Sequence, residues 1–294
     1  MPETIATSRS RPGSAVETNK PGVERRFTPA PAVSAVPEDQ PATVCSVRRL
    51  VKRFGGRSSP AILRGVSLDV ADGQAVAILG SNGAGKSTLL RCLPRLIEPN
   101  DGTISLLDEE VVTLKRTALR RLRSRIGFVF QRHNLSTRLS VLSNVIHGAH
   151  GRAGPIRASH QSLAPKELRQ EAMHCLDQVR LADFAERRAG HLSGGQSQRV
   201  AIARALMQRP EIMIADEPVA SLDPSAAEDV MELFARLMRE NGITLIFTSH
   251  HLNHALTYGD RIIALKDGLV AEDRPTARLQ EQDLDWIYDG ARQD

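Results

Sequence analysis

The sequence predicts an α/β fold of three layers, with helices on both faces of a parallel sheet. Two observations support this prediction. Short, wholly apolar runs such as Ala75 to Leu79 (AVAIL) are typical of strands that are covered on both faces. Helical and strand-like segments then alternate as far as Val270, and a glycine-rich loop joins the AVAIL strand to a helix.

The composition is that of an ordinary globular protein. The chain has 294 residues, of which 41% are hydrophobic, 25% charged and 3% aromatic, and its net charge is +5. No window approaches ~18 consecutive apolar residues, so we expect no membrane span, and the lack of an apolar leader favours the cytoplasm. The scarcity of aromatic residues disfavours stacking on nucleic acid. Cys45, Cys92 and Cys175 lack metal-site spacing, and we expect buried free thiols.

The chain divides into three regions by its sequence pattern. Residues 1–43 are rich in Pro, Ala, Ser and Thr and lack apolar periodicity, which predicts a disordered tail. Val44 to Val51 and Ile62 to Val70 alternate as strands do, and the glycines and proline between them predict a turn. We place the folded domain at residues 44–270 and expect a helical tail over residues 271–294.

A phosphate-binding loop follows the AVAIL strand. Its sequence, GSNGAGKST, fits the pattern G-x-x-x-x-G-K-[ST] and precedes a helical segment, as the motif requires. Lys86 can reach the β and γ phosphates, and the Ser87 hydroxyl suits Mg²⁺. Pro94 predicts that the following helix is short or kinked. We expect this phosphate loop to bind the phosphates of ATP through Gly80, Ser81, Asn82, Gly83, Ala84, Gly85, Lys86, Ser87 and Thr88.

An acidic pair follows a second buried strand, Ile212 to Ala215. Because side chains at the carboxyl end of a parallel strand face the ligand crevice, Asp216 and Glu217 are expected near the phosphate loop. Asp216 would hold Mg²⁺ through its water shell, and Glu217 would act as the general base for the attacking water. In isolation such a pair is more often a helix cap, but the phosphate loop favours the catalytic interpretation.

The segment Leu192 to Gln196 reads LSGGQ and predicts a second anion site. Ser193 as N-cap and Gln196 three residues later form a capping box, so a helix begins here, and Gly194 and Gly195 leave its positive end exposed. The phosphate loop is already sufficient to bind one ATP per chain, so this nucleotide does not need the second site. We therefore expect two copies to pair head to tail, each contacting the γ-phosphate held by the other.

With these motifs, the chain resembles the nucleotide-binding subunits of ABC transporters over about residues 44–270. LSGGQ between the two phosphate-site motifs is the signature of that family. The resemblance implies a P-loop NTPase core with a parallel sheet, an N-terminal antiparallel β subdomain and an inserted α-helical subdomain. The insertion would cover about residues 132–190, where Glu167 to Leu181 has helical periodicity.

The resemblance also assigns roles to single residues. Phe54 matches the aromatic residue that stacks on adenine, although taken alone it is more often a core residue. Ser221 to Asp223 matches the D-loop, which runs along the dimer interface. Gln131 matches the Q-loop glutamine, which senses Mg²⁺ and water, and His250 matches the switch histidine, which contacts the γ-phosphate. The implied catalytic residues are Glu217, His250 and Gln131, and the implied metal-site residues are Ser87, Gln131 and Asp216.

Three stretches resemble the ATPases of phosphonate importers: Arg138 to Arg152, Ala215 to Pro224 and His254 to Gly268. The implied partners are a second ATPase subunit, a transmembrane permease and, indirectly, a periplasmic or lipid-anchored solute-binding protein. The implied location is the cytoplasmic face of the inner membrane. The segment Ser249 to His251 (SHH) departs from that group's pattern, so phosphate, phosphite or another solute stays open. A soluble ABC ATPase acting on nucleic acid or ribosomes is the alternative of another class, and a non-catalytic ABC-like subunit is a third.

Overall fold

The computed structural model describes residues 41–56 and 58–287. The predicted disordered tail lies outside the described residues except for residues 41–43, and one compact unit begins at Pro41. The strands are β1 Thr43–Arg53, β2 Ala61–Ala71, β3 Ala75–Leu79, β4 Asp101–Leu106, β5 Glu109–Glu110, β6 Ile126–Val129, β7 Ile212–Ala215, β8 Thr244–Thr248, β9 Arg261–Lys266 and β10 Leu269–Pro275. The helices are α1 Lys86–Cys92, α2 Arg116–Arg123, α3 Val141–Ile146, α4 His150–Ala153, α5 Lys166–Gln178, α6 Gly194–Leu206, α7 Pro224–Glu240 and α8 Leu252–Tyr258.

Two sheets organise the fold. The first is antiparallel and has the order β2-β1-β4-β5, and the second has the order β10-β9-β3-β8-β7-β6. In the second sheet β9, β3, β8, β7 and β6 are parallel, while β10 pairs antiparallel with β9 at one edge. The carboxyl ends of β3, β8, β7 and β6 therefore lie at one edge of the sheet. The phosphate loop, the acidic pair and the segments that contain Gln131 and His250 all lie at this edge.

The position of the AVAIL strand, β3, between two cores explains why its sequence is apolar throughout. Ala77 and Leu79 point into a core that also contains α6, α7 and the helices of residues 141–181, while Val76 and Ile78 point into a second core beneath the antiparallel sheet and α1. Side chains alternate across a strand, so a strand with a core on each face contains no polar position. The predicted three-layer architecture is confirmed.

The helices between β6 and β7 pack on one another. Helices α3, α5 and α6 are in mutual contact, and their shared core includes Val145, Leu168 and Leu176. Ser140 caps α3 by accepting a hydrogen bond from the Ser143 N–H. Helix α1 ends at Cys92, before Pro94, as the proline predicts.

The C-terminal part differs from the prediction of a helical tail over residues 271–294. Strand β10 continues to Pro275, and two 3₁₀ segments, Thr276–Arg278 and Glu281–Ile287, follow it. The backbone of β10 bonds to β9, so these polar residues form an edge strand although their side chains are mostly exposed. Residues 288–294 of the expected tail lie outside the described residues. None of the described helices has the length and apolar character needed to cross a membrane.

Candidate nucleotide site

The phosphate loop connects β3 to α1 and requires glycine at two tight positions. Gly80 has φ +152°, and a Cβ there would lie 2.5 Å from the Leu265 carbonyl oxygen. Gly85, which caps α1, has φ +102°, and its Cβ would lie 2.8 Å from Leu63 Cδ2. Both residues combine a left-handed backbone with a close neighbour, so any side chain would open the loop.

Lys86 supplies the cation of the loop. The residue is only 5% exposed, and its Nζ donates to the carbonyl oxygens of Gly80 at 2.7 Å and Ser81 at 3.1 Å. Burial lowers its pKa, while the carboxylates of Glu217 and Asp216 oppose that shift. The pocket around the ammonium group is lined by Ile62, Asn82, Gly83, Ala84, Gly85, Lys86, Ser87, Thr88 and Glu217. A buried cation among inward-facing backbone groups is suited to polyphosphate.

Asp216 is 1% exposed, and both of its carboxylate oxygens have donors. Its Oδ1 accepts from Ser87 Oγ at 2.7 Å and from Thr248 Oγ1 at 3.4 Å. Its Oδ2 accepts from an Arg91 guanidinium nitrogen at 2.9 Å. Sequence reasoning missed Arg91, although its position four residues after Ser87 places both on one face of α1.

Glu217 lies at the centre of a second cluster. Its Oε1 is 2.5 Å from His250 Nε2, and its Oε2 accepts from Gln131 Nε2 at 3.1 Å. Its backbone N–H donates to Thr248 Oγ1 at 2.8 Å, and its φ is +50°. A left-handed glutamate costs about 1–3 kcal/mol, so these contacts hold the residue in an unfavourable conformation. The three residues assigned to catalysis thus come together.

The LSGGQ segment has the capping geometry that the sequence predicts. Ser193 Oγ accepts from the Gln196 N–H at 3.3 Å, and Gln196 Oε1 accepts from the Ser193 N–H at 3.0 Å. A Cβ on Gly194 would lie 3.0 Å from Leu222 Cδ2, so this helix end contacts the segment before α7. Ser193 and Gly194 are exposed, and the residues that line the phosphate-loop pocket do not include them or Gly195.

Phe54 lies just beyond β1 and is 50% exposed. The Lys52 ammonium nitrogen is 4.9 Å from the centroid of its ring. The alternative that Phe54 is a core residue is therefore wrong. Its exposed ring is available for stacking.

The glycine-rich loop after β3, the buried lysine and the acidic pair after β7 define a P-loop nucleotide-binding protein. The family model described as "ABC transporter" matches residues 63–220. The chain belongs to the ABC transporter family of ATP-binding subunits, and the predicted enzyme class, a transport ATPase, is confirmed.

Relatives cover most of the chain. The phosphonates import ATP-binding protein PhnC of Nitratidesulfovibrio vulgaris is 46% identical over 78% of this chain and 86% of its own length. The protein of the same name from Bordetella parapertussis is 43% identical over 85% of this chain and 98% of its own. The phosphate-import ATP-binding protein PhnC of Mycolicibacterium smegmatis is 44% identical over 83% and 92%.

A solved structure has the same fold. The ATP-binding cassette MJ0796, a dimer in a post-hydrolysis state with ADP and Pi, matches with a TM-score of 0.68 and 35% identity. The match covers 79% of this chain and 98% of that one. Nucleotide binding is therefore a property of this fold and family, as the sequence predicts.

Proposed function

We propose that this chain is the ATP-hydrolysing subunit of an importer for phosphonate or a related phosphorus oxyanion. The observation that carries the proposal is the similarity, along nearly the whole ATPase domain, to proteins named for phosphonate import. The relative named for phosphate import is about equally similar, which makes phosphate the second candidate. An ATPase subunit does not touch the solute, so the substrate assignment comes from likeness to these relatives and from the partner-facing stretch Arg138–Arg152.

The residues beside the phosphate loop fit a magnesium ion. Mg²⁺ binds oxygen ligands, and the Ser87 hydroxyl and the buried Asp216 carboxylate are 2.7 Å apart at the mouth of the loop. Ser87 would bind the ion directly, and Asp216 would hold it through water, with Gln131 as a further oxygen ligand. When bound, the ion would neutralise charge on the phosphate oxygens.

The hydrolytic step is assigned to the cluster around Glu217. The carboxylate takes a proton from the attacking water, and Gln131 orients this carboxylate through its amide group. His250 contacts the other oxygen of Glu217. With ATP bound it would also contact the γ-phosphate and so align the base with the reacting group. Lys86 and the loop amides bind the phosphates, and Phe54 stacks on adenine.

The exposed helix end at Ser193 supports a dimer. In the proposed assembly, Ser193, Gly194, Gly195 and Gln196 of one subunit contact the γ-phosphate bound by the other. The capping box uses the N–H groups of Ser193 and Gln196, and those of Gly194 and Gly195 remain for an anion at the positive end of the helix, where Ser193 and Gly194 are exposed. ATP binding then joins the two subunits, and hydrolysis separates them.

We further propose the partners and the location of this dimer. It binds a transmembrane permease at the cytoplasmic face of the inner membrane, and a periplasmic or lipid-anchored solute-binding protein acts through that permease. The ATPase domain includes residues 44–270, and its helical subdomain, residues 132–190, contacts the permease. Nucleic acid is not a partner in this proposal.

The experiment is growth of a strain that lacks the gene. A phosphonate serves as the only phosphorus source, with orthophosphate, phosphite, an amino acid and a sugar tested in parallel. Loss of growth on phosphonate, restored by the wild-type gene but not by a Glu217→Gln variant, is the expected result. A defect confined to orthophosphate would favour the second candidate. Normal growth on all phosphorus sources with a defect on another solute would refute the substrate assignment.

A further inference from the structure

Two chain segments leave the catalytic edge of the sheet side by side. One leaves β7 at Glu217 and continues through residues 218–223 into α7. The other leaves β8 and continues through His250 into α8. The contact between Glu217 and His250 joins the two segments near their start.

A second set of contacts joins the same segments farther along. The Tyr258 hydroxyl of α8 donates to Glu228 Oε1 of α7, and His254 Nε2 of α8 is 3.2 Å from Glu228 Oε2. Each oxygen of one carboxylate is thus used by a different side chain of the neighbouring helix. His254 and Tyr258 are four residues apart, so both lie on the face of α8 that meets α7.

The burial of these groups determines the protonation of the His254 ring and restricts its hydrogen bonding. His254 and Tyr258 are buried, whereas the Glu228 side chain is 56% exposed and reaches in from the rim. Burial lowers the pKa of His254, so its ring is neutral at neutral pH, and the contact with Glu228 favours the proton on Nε2. Its Nδ1 is buried and has no hydrogen-bond partner among the described residues. Among the described residues, the contact with Glu228 is the one side-chain hydrogen bond of this ring, which also packs beside His251 and Tyr258.

We infer that Glu228, His254 and Tyr258 form a clamp that positions the switch histidine His250 against Glu217. This clamp is the Glu228 carboxylate together with the His254 ring and the Tyr258 hydroxyl. It deepens the proposed ATPase function and adds positioning residues to it, because none of the three touches the phosphate-loop pocket.

The length of α8 explains why it needs the clamp. The helix has seven residues, so its direction depends on tertiary contacts with β3, α7 and the 3₁₀ segment Glu281–Ile287, and His251 at its N-cap makes no side-chain capping bond. His250 is one residue before this N-cap, so any tilt of α8 moves the imidazole. A displacement of ~1 Å at a positioning group can lower a rate up to ~100-fold. The clamp holds α8 at its middle and its end, at His254 and Tyr258.

The test is ATP turnover by the purified full-length chain and four variants. In Glu228→Ala we expect kcat to fall ~10-fold with KM for ATP almost unchanged, because nucleotide contacts stay intact. Tyr258→Phe removes one donor and should lower kcat less. Glu228→Gln can still accept from Tyr258 and should restore most of the rate. Asp229→Ala is the matched control, since it removes an exposed carboxylate from the same helix and should have no effect.

The double variant Glu228→Ala/Tyr258→Phe separates positioning from general damage. If the two residues act as one clamp, the double variant has the kcat of Glu228→Ala alone. The inference is overturned if the losses in kcat of the two single variants add in the double variant. It is also overturned if KM for ATP rises by the same factor by which kcat falls, or if kcat is unchanged in Glu228→Ala. If Glu228→Ala does not fold, a kcat for Tyr258→Phe equal to wild type overturns it. The absence of turnover in the wild-type chain would instead count against the proposed ATPase function.

Discussion

Replacing Arg91 by Met should destabilise the protein by leaving the buried charge on Asp216 without its cationic partner. The Arg91–Asp216 pair joins a carboxylate side chain that is 2% exposed to a guanidinium side chain that is 41% exposed. A hydrogen bond to a charged group contributes about 1.5–3 kcal/mol, and breaking a fully buried pair costs about 3–5 kcal/mol. Water already reaches Arg91, and Ser87 still donates to Asp216, so about 2 kcal/mol is the expected loss. For a domain of this size, that is a fall of about 4–8 °C in melting temperature.

Thermal unfolding of the full-length chain measures this effect. Arg121→Met is the matched control, because Arg121 is exposed on α2 and has no ion pair among residues 41–56 and 58–287. The loss in Arg91→Met should shrink when Mg-ATP is bound, since a cation beside Asp216 compensates the same charge. A melting temperature equal to that of the control would refute the role of the pair. An equal loss with and without Mg-ATP would refute the placement of the metal beside Asp216.

Two further predictions test the chemistry and the assembly. Glu217→Gln should retain ATP affinity in equilibrium binding but lose ~100-fold or more in turnover, because only the base is removed, and ATP should then trap a dimer. Near-normal turnover would show that another group activates the water. Ser193→Arg should bind nucleotide normally but remain monomeric with ATP in sedimentation, because the larger side chain blocks the exposed helix end. A normal ATP-dependent dimer would contradict the head-to-tail arrangement.

The sequence predicts those parts of the site that local motifs specify. The phosphate loop follows its strand directly, and the LSGGQ capping box lies within four residues, so both are readable without knowledge of the fold. Gln131, Asp216, Glu217 and His250 follow strand ends, and parallel strands place such ends at one edge. Their proximity therefore follows from the predicted parallel sheet.

Contacts that depend on strand order could not be predicted. Arg91 and Asp216 are 125 residues apart in sequence, and their pairing requires β7 to lie two places from β3 in the sheet. The Glu228 clamp likewise requires α7 and α8 to pack side by side. Phe54 was ambiguous for another reason, because an aromatic residue near the end of a strand can face the core or solvent. The exposed edge strand β10 has a polar pattern that does not distinguish it from a tail.

The conformation of Glu217 explains why the site has contacts from several elements. A left-handed glutamate is unfavourable by about 1–3 kcal/mol, so the backbone would relax if nothing opposed it. The opposing contacts come from separate elements: Thr248 at the end of β8 holds the backbone N–H, His250 before α8 holds one carboxylate oxygen, and Gln131 after β6 holds the other. A net hydrogen bond contributes about 0.5–1.5 kcal/mol, or about 1.5–3 kcal/mol when it is made to a charged group, so one contact does no more than match the strain and the conformation depends on several contacts together. Movement of the Gln131 segment or of α8 should therefore release the base, which makes hydrolysis sensitive to the position of either element.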